Sequence, residues 1–239
     1  MILLHGLFAS KDNFHSLSRR LSHQFTVYAL DLRNHGESFH DPEMSYQGMA
    51  ADTAAFIEEL GLGPAAVFGH SIGGKVAMEL ALSQPVLISA LVVEDIAPKQ
   101  YPPRLAREVQ ALAELPVTDF TTRPEAEKWM IGKLANPAVA RFLMKNLVSA
   151  EGGGYFLRLN IEAIQSNLDT LLDFPSSSRS FQGPALFIRG GSSDYIQDDD
   201  FSLITRYFPN SHVETLDGAT HWVHAEQPDA VADLVLDFF

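Results

Sequence analysis

Gly69-His70-Ser71-Ile72-Gly73 sets a serine between two glycines, after the apolar run Ala65–Phe68 and ahead of the helix-forming stretch Lys75–Leu82. On so tight a strand-to-helix turn the serine hydroxyl is lifted off the sheet edge, and the helix N-terminus points at the atom it attacks. The same residues also suit a glycine-rich turn whose serine caps the helix, but the flanking strand and helix favour a nucleophile. A serine hydroxyl needs a base within hydrogen-bond reach. Gly218-Ala219-Thr220-His221-Trp222-Val223-His224 offers two. His221 follows a strand and a glycine turn, whereas His224 falls where the next helix approaches and is expected to cap or pack. Two carboxylates compete to orient the imidazole: Asp95, after the strand that follows the serine's helix, and Asp194, after the strand that precedes the histidine strand. Either can reach His221 from the carboxyl edge of a parallel sheet, and the other becomes a turn carboxylate. Charge developing on a carbonyl oxygen calls for backbone donors, for which the amides of Ile72 and Leu7 are the expected pair, with Phe8 as the alternative to Leu7. These residue types point to acyl transfer.

The elements that must position them alternate as βα units do. Strands are predicted at Ile2–Leu4, Phe25–Leu30, Ala65–Phe68, Leu87–Val93, Ala185–Arg189 and His212–Leu216. Helices are predicted at Asp12–Leu21, Met49–Leu60, Lys75–Leu82, Phe201–Tyr207 and Pro228–Phe239. Between about 99 and 182 the strand rhythm stops, and only helical stretches are expected: Arg104–Leu115, Pro124–Leu134, Pro137–Val148 and Phe156–Leu172. The fold class is therefore α/β, a mostly parallel sheet with helices on both faces. The core comprises 1–98 and 183–239, and an all-helical block over 99–182 is inserted into it. Placed over the carboxyl edge of the sheet, that block becomes a lid whose apolar face shapes the acyl pocket. Phe8, Tyr101, Arg104, Trp129 and Trp222 are the expected substrate contacts, with Arg104 meeting an anionic acyl tail or a phosphate.

Composition narrows the partners. The 239 residues carry 17 basic and 30 acidic side chains, a net charge of −13, which repels phosphate backbones and anionic lipid. Neither nucleic acid nor membrane is an expected partner. With no cysteine, thiolate metal sites, disulfides and a cysteine nucleophile are all excluded. No third ligand joins His221 and His224 at a helical spacing, and no phosphate loop is present, so neither metal nor nucleotide cofactor is expected. No apolar run reaches the ~18 residues of a membrane span, and the start has no signal-peptide pattern. A cytoplasmic location is expected, as a monomer or homo-oligomer.

Taken together, His5-Gly6-Leu7-Phe8-Ala9-Ser10, Asp31-Leu32-Arg33-Asn34-His35-Gly36-Glu37-Ser38, the Ser71 turn through Lys75, Asp95-Ile96-Ala97-Pro98 and Gly218 through Glu226 resemble the α/β-hydrolase superfamily. Within it they are similar to the small bacterial YbfF-like esterases and their mitochondrial relatives. The resemblance implies hydrolysis of carboxylic esters, or of acyl-CoA thioesters, without a cofactor. It implies Ser71 as nucleophile, His221 as base and Asp95 as acid; the position of Asp194, usual for the acid across the superfamily, need not be acidic in the YbfF-like pattern. This sequence carries an acid at both. A ligand-binding pseudo-hydrolase with negligible turnover is the rival class, and an intact Ser71, His221 and acid favour the enzyme. The resemblance also implies about two further strands ahead of the His5-Gly6 loop. A chain lacking them exposes a sheet edge and tends to self-associate.

Overall fold

The computed structural model describes residues 1–175 and 178–239; residues 176 and 177, inside the expected 99–182 block, lie outside the described residues. In chain order, β1 (Ile2–Leu4), α1 (His15–Leu21), β2 (Tyr28–Leu30), α2 (Tyr46–Glu59), β3 (Ala65–His70), α3 (Ile72–Ser83) and β4 (Ile88–Glu94) come first. The block then contributes α4 (Ala106–Ala113), α5 (Arg123–Leu134), α6 (Pro137–Leu143), β5 (Leu147–Ser149), β6 (Tyr155–Leu157), α7 (Ile161–Ser166) and α8 (Leu168–Leu172). The chain closes with β7 (Ala185–Gly190), α9 (Phe201–Tyr207), β8 (Ser211–Leu216), α10 (Val223–Glu226) and α11 (Pro228–Phe238).

Six strands form one sheet in the order β2-β1-β3-β4-β7-β8, and every neighbouring pair is parallel. The period-2 alternation of strand side chains explains why both faces are covered. Leu3, Phe68, Val92 and Leu186 point to one side, onto Phe14 just before α1, Leu17 of α1, and Val231 and Val235 of α11. Leu4, Val67, Leu91 and Phe187 point to the other, onto Met49 and Ile57 of α2 and Val76 and Leu80 of α3. All the strands run the same way, so their carboxyl ends, and the loops bearing Leu7, Ser71, Asp95 and His221, gather at one edge.

The 99–182 block departs from the all-helical expectation. β5 and β6 pair antiparallel, Leu147 with Leu157 and Ser149 with Tyr155. Gly152, Gly153 and Gly154 all have positive φ, a run few other residues sustain, and they close the turn between the two strands. Three-residue strands are too short to display alternation, so Val148 read as the end of one helix and Phe156 as the start of another. Elsewhere the corrections are to element ends: β2 keeps only the last three residues of Phe25–Leu30, and α3 starts at Ile72, directly after the serine. The block is tied to the core by buried polar contacts. Lys75 Nζ donates to the carbonyls of Leu172 (3.1 Å) and Asp173 (2.6 Å), and Asn146 Nδ2 donates to Phe8 O (2.8 Å).

Candidate active site

Ser71 sits at φ 53°, ψ −121°, a strained backbone for a residue with a side chain. Its neighbours show why the turn demands glycine. A Cβ at Gly69 would lie 2.2 Å from the Gly73 carbonyl oxygen, and one at Gly73 would lie 2.2 Å from the oxygen of Leu4. The chain therefore passes directly from β3 into α3, leaving the serine at the sheet's carboxyl edge.

His221 Nε2 lies 3.0 Å from Ser71 Oγ, and His221 Nδ1 lies 2.7 Å from Asp95 Oδ2. The carboxylate facing the imidazole is thus Asp95. It is fully buried, while the His221 side chain keeps 20% of its surface exposed. Asp95 Oδ1 accepts from the Gly190 amide at 3.0 Å, and Oδ2 also accepts from the Ser193 hydroxyl. These donors leave the carboxylate's remaining capacity for an N–H at Nδ1, which frees Nε2 to accept the serine proton. Asp194 faces away: its side chain is 70% exposed and accepts two hydrogen bonds from Arg104, at 2.8 and 3.0 Å, which hold its carboxyl below the usual range.

Two buried histidines, His5 in the loop after β1 and His35 in the loop after β2, tie these two loops together. His35 Nδ1 bonds the Arg33 carbonyl at 3.0 Å, and its Nε2 accepts from the Phe8 amide at 3.2 Å. His5 Nδ1 bonds Gly6 O at 2.9 Å, and its Nε2 accepts from the Leu32 amide at 3.1 Å. Burial lowers both histidines, His35 to about 3, in keeping with neutral rings that donate at one nitrogen and accept at the other. The Phe8 amide is therefore occupied, whereas among the described residues the amides of Leu7 and Ile72 have no acceptor.

Ser71 and His221 open onto a cavity of about 210 Å³. Phe8 and Trp222 line it as the sequence suggests, and so do Leu105, Phe142 and Leu143 of the block's apolar set; Val139 and Glu108 of the block line it as well. Three expected contacts lie elsewhere. Tyr101 is buried, donating its hydroxyl to Tyr195 O (2.6 Å) and accepting from the Ala97 amide (2.8 Å). Trp129 packs on the block's own core beneath Lys133. Arg104 does not line the cavity: it is engaged by Asp194 and lies 4.7 Å over the Tyr195 ring. The residue most plainly missed is Tyr195 itself, which stacks on His221 with centroids 3.7 Å apart and planes 13° apart.

A second cluster lies behind the first. His70, Glu94 and His224 bring their potential ligand atoms within 4.8 Å of one another, all buried. Helical spacing does not reveal this cluster in the sequence, because its three residues come from β3, β4 and α10. Glu94 already accepts from the His224 amide and, at 2.7 Å, from its Nδ1, while His70 Nε2 bonds the His221 carbonyl at 2.8 Å.

A parallel sheet whose third strand ends in a serine elbow, with a histidine after the last strand and an acid after the fourth, defines an α/β hydrolase. Residues 1–234 match the alpha/beta hydrolase family, and the chain belongs to it. It is 37% identical over 246 residues to mouse sn-1-specific diacylglycerol lipase ABHD11, covering 100% of this chain and 80% of that protein. It is 35% identical over 232 residues to esterase YbfF of Escherichia coli (strain K12), covering 97% and 89%. A solved marine microorganism esterase superimposes with a TM-score of 0.97 at 36% identity, over 100% of this chain and 94% of the other. The protein is a hydrolase of the esterase and lipase kind. Among the described residues no helix is long and apolar enough to cross a membrane.

Proposed function

We propose that the protein is a serine carboxylesterase that cleaves small to medium acyl esters through an acyl-enzyme on Ser71. The observation that carries this reading is the continuous hydrogen-bonded run from Ser71 through His221 to Asp95, opening onto an apolar cavity. Ser71 Oγ bonds to the ester carbonyl carbon as its proton passes to His221 Nε2. Asp95 holds the Nδ1–H tautomer and steadies the imidazolium. The Leu7 and Ile72 amides receive the oxyanion, each donor being worth roughly 3 kcal/mol of barrier. Collapse breaks the C–O bond of the ester, and His221 returns the proton to the departing alcohol. Water then attacks the acyl carbon, loses a proton to His221, and the Ser71–acyl bond breaks with that proton returned to the serine.

The size of the cavity supports short to medium chains. At about 210 Å³ it exceeds the roughly 150 Å³ that accommodates benzene in an engineered protein cavity. In this reading the 99–182 block is a lid, supported by the five of its side chains that line the cavity. An acylglycerol is one candidate substrate, supported by the diacylglycerol lipase among the relatives. The reading keeps the small-molecule partner and the cytoplasmic location expected from the sequence.

The test is hydrolysis of p-nitrophenyl esters from acetate to palmitate by wild type and Ser71→Ala. Turnover should peak at a short or medium chain and vanish in the variant. Equal rates in both, or none with any ester, would remove the reading.

A further inference from the structure

Glu108 stands in the first turn of α4, three residues beyond Leu105, so both side chains fall on one helix face. That face looks into the cavity that opens on Ser71. Glu108 Oε2 is buried and accepts no hydrogen bond from any described residue. Buried carboxylate oxygens are almost always paired, and one left without a donor on a side chain that lines the cavity calls for an explanation. Its place in the first turn suits the helix dipole, but the dipole supplies no donor to Oε2. Nor is the helix a loosely placed one. Arg104, just before it, holds Asp194 by two hydrogen bonds and lies over Tyr195, whose ring stacks on His221. Glu108 is thus carried on an element braced against the catalytic histidine.

We propose that Glu108 is a specificity-determining residue that accepts a hydrogen bond from a hydroxyl on the substrate. The preferred esters are then uncharged and hydroxyl-bearing, such as partial esters of a small polyol. An ammonium group would also meet the carboxylate, but it needs further partners to leave water, and the other block side chains that line the cavity, Leu105, Val139, Phe142 and Leu143, are apolar. The inference rests on the carboxylesterase reading above.

The test is a ratio measured within each enzyme: kcat/KM for glycerol 1-monobutyrate divided by kcat/KM for propyl butyrate, in wild type, Glu108→Gln and Glu108→Leu. The two esters share their acyl group and alcohol carbon count, so the ratio reads recognition of the hydroxyls and cancels any general loss of activity. Sites built to hydrogen-bond a substrate hydroxyl discriminate strongly against its absence; for this half-open cavity the ratio should fall about tenfold in Glu108→Leu. Glu108→Gln keeps an acceptor oxygen and should fall less. A Glu108→Leu ratio within about twofold of wild type, with both esters turned over, would overturn the proposal and leave the esterase standing. Absence of wild-type turnover on every ester would instead remove the esterase reading, and this inference with it.

Discussion

Glu94 and Asp95, adjacent at the end of β4, each hold a histidine from the segment after β8, and the two pairs do different work. In both, the ring Nδ1 lies 2.7 Å from a carboxylate oxygen. Around Asp95 the far nitrogen of His221 reaches the cavity and meets the Ser71 hydroxyl. Around Glu94 both partners are buried, and the carboxylate takes the His224 backbone amide as well as the ring. Phe14 packs on the His224 ring with centroids 4.9 Å apart. His70 lies between the pairs, 4.8 Å from each ring, and bonds the His221 carbonyl. One distance therefore joins pairs in different surroundings: the distal nitrogen of His221 meets the Ser71 hydroxyl, while the Glu94 carboxylate also takes up the His224 backbone amide. The inner pair anchors the start of α10, which fixes the loop that carries His221.

Substitution of the outer acid should produce the larger effect. Asp95→Asn should lower kcat about 10⁴-fold, roughly 5.5 kcal/mol, by favouring the wrong imidazole tautomer. Saturating p-nitrophenyl ester kinetics read this directly, and a loss under tenfold would move the orienting role away from Asp95. Glu94→Leu should act on stability. Removing one partner of a buried pair typically costs about 3–5 kcal/mol, read as a lower urea midpoint. The kcat of the folded fraction should fall less than about tenfold, the inner pair being one step removed from the reacting atoms. A 10⁴-fold loss of kcat with an unchanged midpoint would mean that the two pairs act as one catalytic unit.

The serine turn, the strand rhythm and the parallel core were legible because each leaves a local mark: two glycines at fixed offsets, apolar runs, caps. The choice between Asp95 and Asp194 was not, because both stand after strands at the same sheet edge. Which of them faces His221 depends on what the end of β7 and its loop turn inward, namely the Gly190 amide and the Ser193 hydroxyl, while Asp194 turns out to an arginine ninety residues away. Which aromatics of the 99–182 block reach the cavity was not legible for a related reason. Spacing shows that Phe142 or Trp129 lies on an apolar helix face, but not whether that face meets the cavity or the block's own core. Glu108 on an amphipathic helix reads as a solvated residue, and a loop tyrosine such as Tyr195 has no periodicity to mark it.

Three further histidines sharpen the contrast: among the described residues none has a carboxylate hydrogen-bonded to its ring, the nearest being Asp31 at 3.9 Å from His5. His5, His35 and His70 are buried and held neutral by burial, His35 at about 3. The unfolded chain takes up these protons near pH 6.5, while the folded protein resists them. Their contribution is thus fully present above about pH 6.5 and is lost as pH falls, by up to about 1.4 kcal/mol per pH unit for each ring. Urea midpoints between pH 8 and 4.5 should be level at first and then decline. A flat profile would mean that these rings accept protons in the folded state.

The smallest effect is expected at the other acid. The Arg104–Asp194 pair is geometrically good but exposed on the Asp194 side, so Asp194→Asn should change stability by less than about 1 kcal/mol. Its reach into catalysis is indirect: Asp194 keeps Arg104 over Tyr195, and Tyr195 keeps its ring flat on His221. Loosening that stack widens the range of imidazole orientations without altering the tautomer, because Asp95 still holds Nδ1. The expected loss in kcat is therefore a few-fold, about a thousandth of that for Asp95→Asn. Arg104→Ala should reproduce it, with no selective gain or loss on anionic esters, because the guanidinium is already committed to Asp194. If the two aspartate variants lost activity equally, the stack would have to set the tautomer as well as the angle of His221, and the division of labour between the acids would collapse.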